Sequence, residues 1–318
     1  MKKIAIVTRD CAGINATIRS VVRTACHYNI EVVGVLRGYD GLIDGKFIPL
    51  NRSSVSGIIN SGGTILKTAR SERFLKESGQ KQAAKNLKEN GIDGLVVIGG
   101  DGSLRGAHLL ATKYHIRVVG IPATIDNDLS GVDLAVGADT AVNVALDALD
   151  KIRDTATSLE RIFVVEVMGR ESGYIALQVA LAGGCEEVLV PEKESNIEDM
   201  CTEIKQGNAK GKTSWIIIVA EGKAYAHDIA NIIILETGFE TRVTVLGHIQ
   251  RGGRPTAVDR TLAARLGNYA VEVLHSGQTD VCVNMKNGIL STVPLAAVIQ
   301  PKKINAEEYY KLIKVLAK

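Results

Sequence analysis

Two carboxylates stand two residues apart in Pro122-Ala123-Thr124-Ile125-Asp126-Asn127-Asp128, directly after the apolar stretch Ile116-Arg117-Val118-Val119-Gly120-Ile121. A short β-branched run of this kind reads as a buried strand, and open α/β sheets place their chemistry at the carboxyl ends of strands. A turn there can hold Asp126 against a substrate hydroxyl while Asp128 supports a cation or orients its neighbour. That arrangement suits removal of a proton from an alcohol beside a phosphate donor. The same residues also read as an Asx-rich turn whose carboxylates cap backbone amides, so the run alone does not decide.

A second apolar run, Gly94-Leu95-Val96-Val97-Ile98, leads into Gly99-Gly100-Asp101-Gly102-Ser103 and then a helix-compatible stretch from Leu104 onward. Glycines in such a turn let backbone N–H groups approach a ligand closely, and the start of a helix favours negative charge. Asp101 could hold an Mg²⁺ bridging phosphates, and Ser103 is a candidate N-cap. No Gly-Lys-Ser/Thr follows, which excludes a Walker loop. Further along, Arg170 follows the run Phe163–Val167, and Gly169 before it would let the backbone approach a ligand. His248 and Arg251 lie three apart between glycines and could face one anion. Arg19 and Arg23 are four apart, on one face of a helix. Each of these residues reads equally as a solvated surface charge.

The elements that position them are short β-branched runs at 4–7, 31–36, 95–98, 118–121, 163–167, 188–190 and 215–220. Segments of helical spacing lie between several of them, at 14–28, 81–90 and 140–153. Alternation of this kind implies an α/β fold with parallel sheets and helices on both faces. The chain of 318 residues suits two lobes rather than one small core. With 46% apolar and 23% charged residues, long disordered stretches are not expected. A net charge of +3 argues against a dedicated nucleic-acid binder. The five cysteines lack any Cys-x-x-Cys pair and read as reduced thiols rather than a zinc site or disulfide frame. Met1–Val7 reads as a first strand, not a signal peptide, and the apolar runs are too short to cross a bilayer. A cytoplasmic location with no membrane partner is expected.

Taken together, Gly99–Ser103, Pro122–Asp128, Val167-Met168-Gly169-Arg170 and Gly247-His-Ile-Gln-Arg-Gly-Gly253 resemble the 6-phosphofructokinase family. Arg153-Asp-Thr155, Arg161, Ala182-Gly-Gly-Cys-Glu186 and Glu240-Thr-Arg242 extend the resemblance over nearly the whole chain, in the family's order. It implies a fold of two Rossmann-like lobes. Residues 1–137 plus 251–300 would form the larger, nucleotide-binding lobe, and 138–250 plus 301–318 the smaller, sugar-phosphate-binding lobe, with the active site in the cleft between them. The implied reaction is phosphoryl transfer from ATP, with Mg²⁺, to the 1-hydroxyl of fructose 6-phosphate, the committed step of glycolysis.

The resemblance makes Asp126 the base, oriented by Thr124 and Asp128, with Arg170 neutralising the transferring phosphoryl. Met168, Gly169, Arg170, Glu221, His248 and Arg251 would bind the sugar phosphate, joined by Arg161 and Arg242 from a neighbouring subunit of a homotetramer. Tyr39, Arg70, Gly100, Asp101, Gly102 and Ser103 would contact the nucleotide, ATP or product ADP. Arg19, Arg23, Arg52, Arg153, Glu186, Lys210 and Lys212 match positions that bind ADP or phosphoenolpyruvate as effectors. Gly102 matches ATP-using members, and Ala123, a small departure from the glycine those members commonly carry, is not the lysine of diphosphate-using members, so the resemblance at both positions favours ATP. One stretch departs from the pattern. Thr8-Arg9-Asp10-Cys11-Ala12-Gly13-Ile14-Asn15 lacks the family's glycine pair, and Arg9 occupies the gap. A diphosphate-dependent or other phosphosugar kinase, or a weakly active regulatory paralogue, therefore stands as the alternative.

Overall fold

In the computed structural model, which describes residues 1–302 and 304–317, the chain divides into two compact units. One comprises Met1–Thr140 with Arg251–Lys302, the other Ala141–Gln250 with Lys303–Lys318.

The first unit is built on seven strands: β1 (Lys3–Thr8), β2 (Glu31–Val35), β3 (Phe47–Leu50), β4 (Gly94–Gly99), β5 (Val118–Pro122), and, after the second unit β6 to β9, β10 (Val281–Lys286) and β11 (Ile289–Pro294). Their order is β11-β10-β5-β4-β1-β2-β3. The five inner strands run parallel, and the two edge strands pair antiparallel. Inner strands are nearly continuous apolar runs because helices cover both faces; Ile4, Ala5, Ile6 and Leu95 through Ile98 are fully buried. From β1 the chain proceeds towards β2, and from β4 it proceeds the opposite way, towards β5. The connections therefore part at the carboxyl ends of β1 and β4, leaving the crevice in which open α/β sheets bind ligands.

The edge strands were not read from the sequence. β10 and β11 form a hairpin through Asn287 and Gly288, at φ 50° and 78°. That Asn-Gly pair is the sequence signature of a two-residue hairpin turn.

The second unit holds four parallel strands, β6 (Ile162–Val167), β7 (Glu187–Leu189), β8 (Trp215–Ala220) and β9 (Thr241–Val245), in the order β7-β8-β6-β9. Its core gathers Val164, Ile217 and Val219 with Ile204, Ile229 and Ile233 of the flanking helices. The chain leaves β6 towards β7 and leaves β8 towards β9, so the second switch point lies at the carboxyl ends of β6 and β8.

Candidate active site

The turn after β5 is held from three sides. Ala123 N donates to Gly99 O at 3.1 Å, Val136 N donates to Pro122 O at 3.0 Å, and Asp126 N donates to Thr124 Oγ1 at 3.2 Å. Asn127 sits at φ 46°, in the left-handed region that asparagine tolerates better than most residues. Its side chain, 1% exposed, donates to Asp133 O and accepts from Ala135 N, both at 3.0 Å. The capping of this turn is thus done by Asn127 and Thr124. Asp126 is 5% exposed within it. A fully buried carboxylate, Asp259, fixes the chain beyond, accepting from Gly137 N and Thr140 N at 2.8 Å each. Burial pushes the Asp259 pKa up against the opposing pull of those bonds.

At the end of β4 the helix Asp101–Tyr114 begins earlier than expected, and Gly100 is its N-cap residue, at φ −90° and ψ −164°. Ser103 is therefore the third helical residue and not the cap. The helix absorbs the glycine turn, and the Ser103 side chain is buried beneath it. A Cβ on Gly99 would stand 2.7 Å from Ser103 Cβ and Oγ, and one on Gly100 3.1 Å from Thr124 Cβ. Two glycines thus let the Gly99–Ser103 turn and the Asp126 turn lie against each other. A Cβ on Gly102 would meet open space. Asp101 accepts from Arg105 Nε at 2.8 Å, an exposed ion pair of the weakly stabilising kind. Tyr39, expected to contact the nucleotide, packs its ring 4.1 Å from that of Phe74 and donates its hydroxyl to Ser103 O at 2.6 Å. Arg70 is exposed.

After β1, Arg9 N donates to Ile98 O and its Nη1 to Ala69 O, both at 3.1 Å. The chain then dives inward. Gly13 at φ 92° precedes the helix Ile14–His27, and a Cβ there would be 2.6 Å from Val136 Cγ1, so only glycine fits. Cys11 lies buried against Val136 O, its thiol pKa pushed up by burial and then by Asp259. Asn15 clamps the segment 61–65, donating to Ser61 O and Gly62 O and accepting from Ile65 N at 2.8 Å. Arg251 Nη2 donates to Asp10 O at 3.2 Å.

In the second unit, Met168, Gly169 and Arg170 follow β6. Gly169 is at φ 149°, where a Cβ would stand 2.3 Å from Ser172 O, and the exposed Arg170 is at φ 54°. Glu221, ending β8, accepts from Gly169 N at 3.2 Å and Arg170 N at 2.9 Å, both on Oε1. It was expected to receive sugar hydroxyls, yet one of its oxygens shapes the loop. Gln250, fully buried, accepts from Met168 N at 3.4 Å and donates to Gly247 O at 3.1 Å. His248 is exposed in the 3₁₀ turn Gly247–Arg251. Arg161 and Arg242 lie elsewhere: Arg161 precedes β6, and Arg242 pairs with Phe163 near its start. Both grip Glu240, Arg161 at 2.9 Å. The six residues of β6 separate them from Arg170 by roughly 20 Å at about 3.3 Å per residue.

Of the residues expected to bind effectors, Arg19, Arg23 and Arg52 belong to the first unit and Arg153, Glu186, Lys210 and Lys212 to the second. Arg153 donates to the carbonyls of Gly183 and Gly184. Lys212 pairs with Glu186 at 3.1 Å and donates to Ala317 O at 2.9 Å, while Glu186 also accepts from Ile216 N at 2.7 Å. Lys210 is exposed.

Sequence reasoning missed Asn127, Gln250 and Glu192, whose carboxylate accepts from Gly173 N at 2.8 Å. Among the described residues no group of three or more His, Cys, Asp or Glu is placed to hold a metal ion by itself. Asp101, partly exposed at the start of its helix, is a single carboxylate and could serve as one of the oxygen ligands of an Mg²⁺.

Two switch-point turns, one with a helix-start anion cradle and a carboxylate, the other with a glycine-arginine loop braced by a glutamate, define a doubly wound α/β protein built to handle phosphates. The phosphofructokinase family profile matches residues 3–274. An ATP-dependent 6-phosphofructokinase of Thermotoga neapolitana is 48% identical over 319 residues, and one of Clostridium botulinum 49% over 320, each alignment covering all of both chains. Among solved structures, the phosphofructokinase of Saccharomyces cerevisiae has a TM-score of 0.87 at 35% identity. This chain is covered in full and spans about half, 48%, of that yeast chain. The chain belongs to the phosphofructokinase family.

Proposed function

We propose that the chain transfers the γ-phosphoryl group of ATP to the 1-hydroxyl of fructose 6-phosphate, giving fructose 1,6-bisphosphate and ADP. The observation that carries this reading is full-length identity of 48–49% to enzymes bearing that activity's name. The first unit supplies the donor site and the base. Backbone amides at the start of the helix Asp101–Tyr114 and the open face at Gly102 accept the phosphates. Asp101 holds Mg²⁺, which when bound spreads and neutralises phosphate charge. Asp126, its backbone fixed by Thr124 and Asn127, takes the proton from the sugar hydroxyl, and Asp128 orients it. The second unit supplies the acceptor contacts. Gly169 lets backbone approach the sugar, Glu221 accepts from it, Arg170 meets the transferring phosphoryl, and His248 joins Arg251 of the first unit on the 6-phosphate.

Arg161 and Arg242 stand at the wrong end of β6 to reach a sugar held by Arg170 of the same chain. That distance supports a homotetramer in which they complete a neighbour's site, and regulation by ADP or phosphoenolpyruvate through the effector residues goes with it. The chain works in the cytoplasm. A coupled assay of the purified chain with Mg²⁺ and either ATP or diphosphate, against fructose 6-phosphate and other phosphosugars, tests the whole reading. Turnover with diphosphate alone, or none, would replace it with one of the rivals.

A further inference from the structure

The larger unit places an arginine where a phosphate-binding turn has no side chain of its own. β1 and β4 are in register, Thr8 opposite Ile98. Arg9 N continues the ladder to Ile98 O, so Arg9 stands beside Gly99 at the point where the two connections part. Its side chain runs across that turn: a Cβ on Gly99 would be 3.0 Å from Arg9 Cγ. The bond from Nη1 to Ala69 O ties one arm of the guanidinium to the peptide that precedes the exposed Arg70. Two arginines and the positive end of a 14-residue helix therefore share one end of the sheet. The nearest carboxylate of that helix, Asp101, is engaged by Arg105.

We propose that Arg9 is a phosphate-binding residue of the donor site, its guanidinium supplying by side chain the positive contact that the turn after β1 does not supply by glycine amides. The inference rests on reading Gly99–Ser103 as the donor-phosphate turn. A guanidinium is a planar fork with five N–H donors and matches phosphate oxygens in pairs. It reaches the ligand from β1 across Gly99, while the helix amides approach from β4. Donor affinity in this chain then depends on a charge, and grows with the number of phosphates on the ligand.

The test is calorimetric titration of ATP, ADP, adenosine and fructose 6-phosphate into the parent, Arg9→Lys, Arg9→Gln and Arg9→Ala. Arg9→Ala should weaken ATP about 10- to 100-fold, the range for a charge-assisted hydrogen bond. ADP should lose less, and adenosine and fructose 6-phosphate should stay within about twofold, since neither is touched by the lost charge-assisted bond. Arg9→Lys should recover part of the loss. Arg9→Gln keeps a polar side chain but ends two bonds short of Nη1 and carries no charge, and should behave like Arg9→Ala; it carries the test if the alanine variant does not fold. Unchanged ATP affinity in Arg9→Gln or Arg9→Ala would overturn the proposal. So would equal losses for ATP and adenosine, which would make Arg9 a packing residue of the turn. A parent that binds fructose 6-phosphate but neither ATP nor adenosine would overturn the donor-site reading itself, and the Arg9 proposal with it.

Discussion

Replacing Asn127 by alanine should loosen the turn that carries Asp126 without touching either carboxylate. The substitution removes two hydrogen bonds at once. Ala135 N is buried and would be left without its acceptor, a cost of about 1–3 kcal/mol. Asp133 belongs to an exposed residue, so water can replace the donor to its carbonyl, and that loss is about 0.5–1 kcal/mol. Alanine at φ 46° adds about 1 kcal/mol of strain that asparagine avoids. The sum is about 2.5–5 kcal/mol, roughly 10²- to 10³-fold in the population of the ordered turn. Asn127→Asp keeps the acceptor for Ala135 N and loses only the donor, so it should cost about 1 kcal/mol before electrostatics. Urea denaturation with an unchanged slope reads the stability term, and kcat with saturating ATP and fructose 6-phosphate reads the site. The alanine variant should show a lower midpoint, and a kcat reduced by up to roughly 10²- to 10³-fold if the whole cost falls on the turn. A parental midpoint together with a kcat within twofold of the parent would show that Asn127 does not hold the turn.

Three other tests bear on the chemistry and assembly. Asp126→Asn should fold, bind fructose 6-phosphate as the parent does and lose roughly 10²–10⁴-fold in kcat, whereas turnover within a few-fold of the parent removes it as the base. Hybrids of an Asp126→Asn chain with an Arg242→Ala chain should recover activity, because one class of site regains every group; no recovery in hybrids shown by mass to have formed means that each site is built within one chain. ADP or phosphoenolpyruvate should shift the half-saturating concentration of fructose 6-phosphate, and Arg153→Ala should blunt the shift with maximal rate nearly intact, since an effector acts only through its differential affinity for two states. Identical saturation curves with and without both effectors would reduce the arginine and lysine set to surface charge.

The inner sheet could be read from the sequence because a strand buried on both faces must be apolar throughout, as Leu95–Ile98 and Ile216–Val219 are. Edge strands carry no such obligation. Phe47–Leu50 is four residues long with a proline, the edge strand β11 has no buried residue, and its inner neighbour β10 buries only Cys282, Val283 and Asn284, so their apolar runs were too short to register; the Asn287-Gly288 pair between them was the available signal. At the site, residues whose type implies chemistry were visible and their supports were not. Gln250 meets Met168 across 82 positions and Glu192 meets Gly173 across 19, and no local pattern marks an ordinary amide or carboxylate as the partner of a distant N–H. The N-cap was placed at Ser103 because serine is a common cap, but a glycine turn that enters the helix moves the first helical residue back to Asp101.

The interrupted make-up of the first unit sets a timetable for synthesis. β5 emerges by residue 122, but its neighbour β10 begins only at residue 281, and Asp259, which anchors Gly137 and Thr140, is also late. At about 5–20 residues per second those 159 residues take roughly 8–30 s, during which β5 is an open edge of a growing sheet. All four strands of the second unit lie in one stretch ending at Val245, and can pair within that interval. The nascent chain is therefore most exposed to wrong partners just when the turn after β5 has been made and the last inner strand has not.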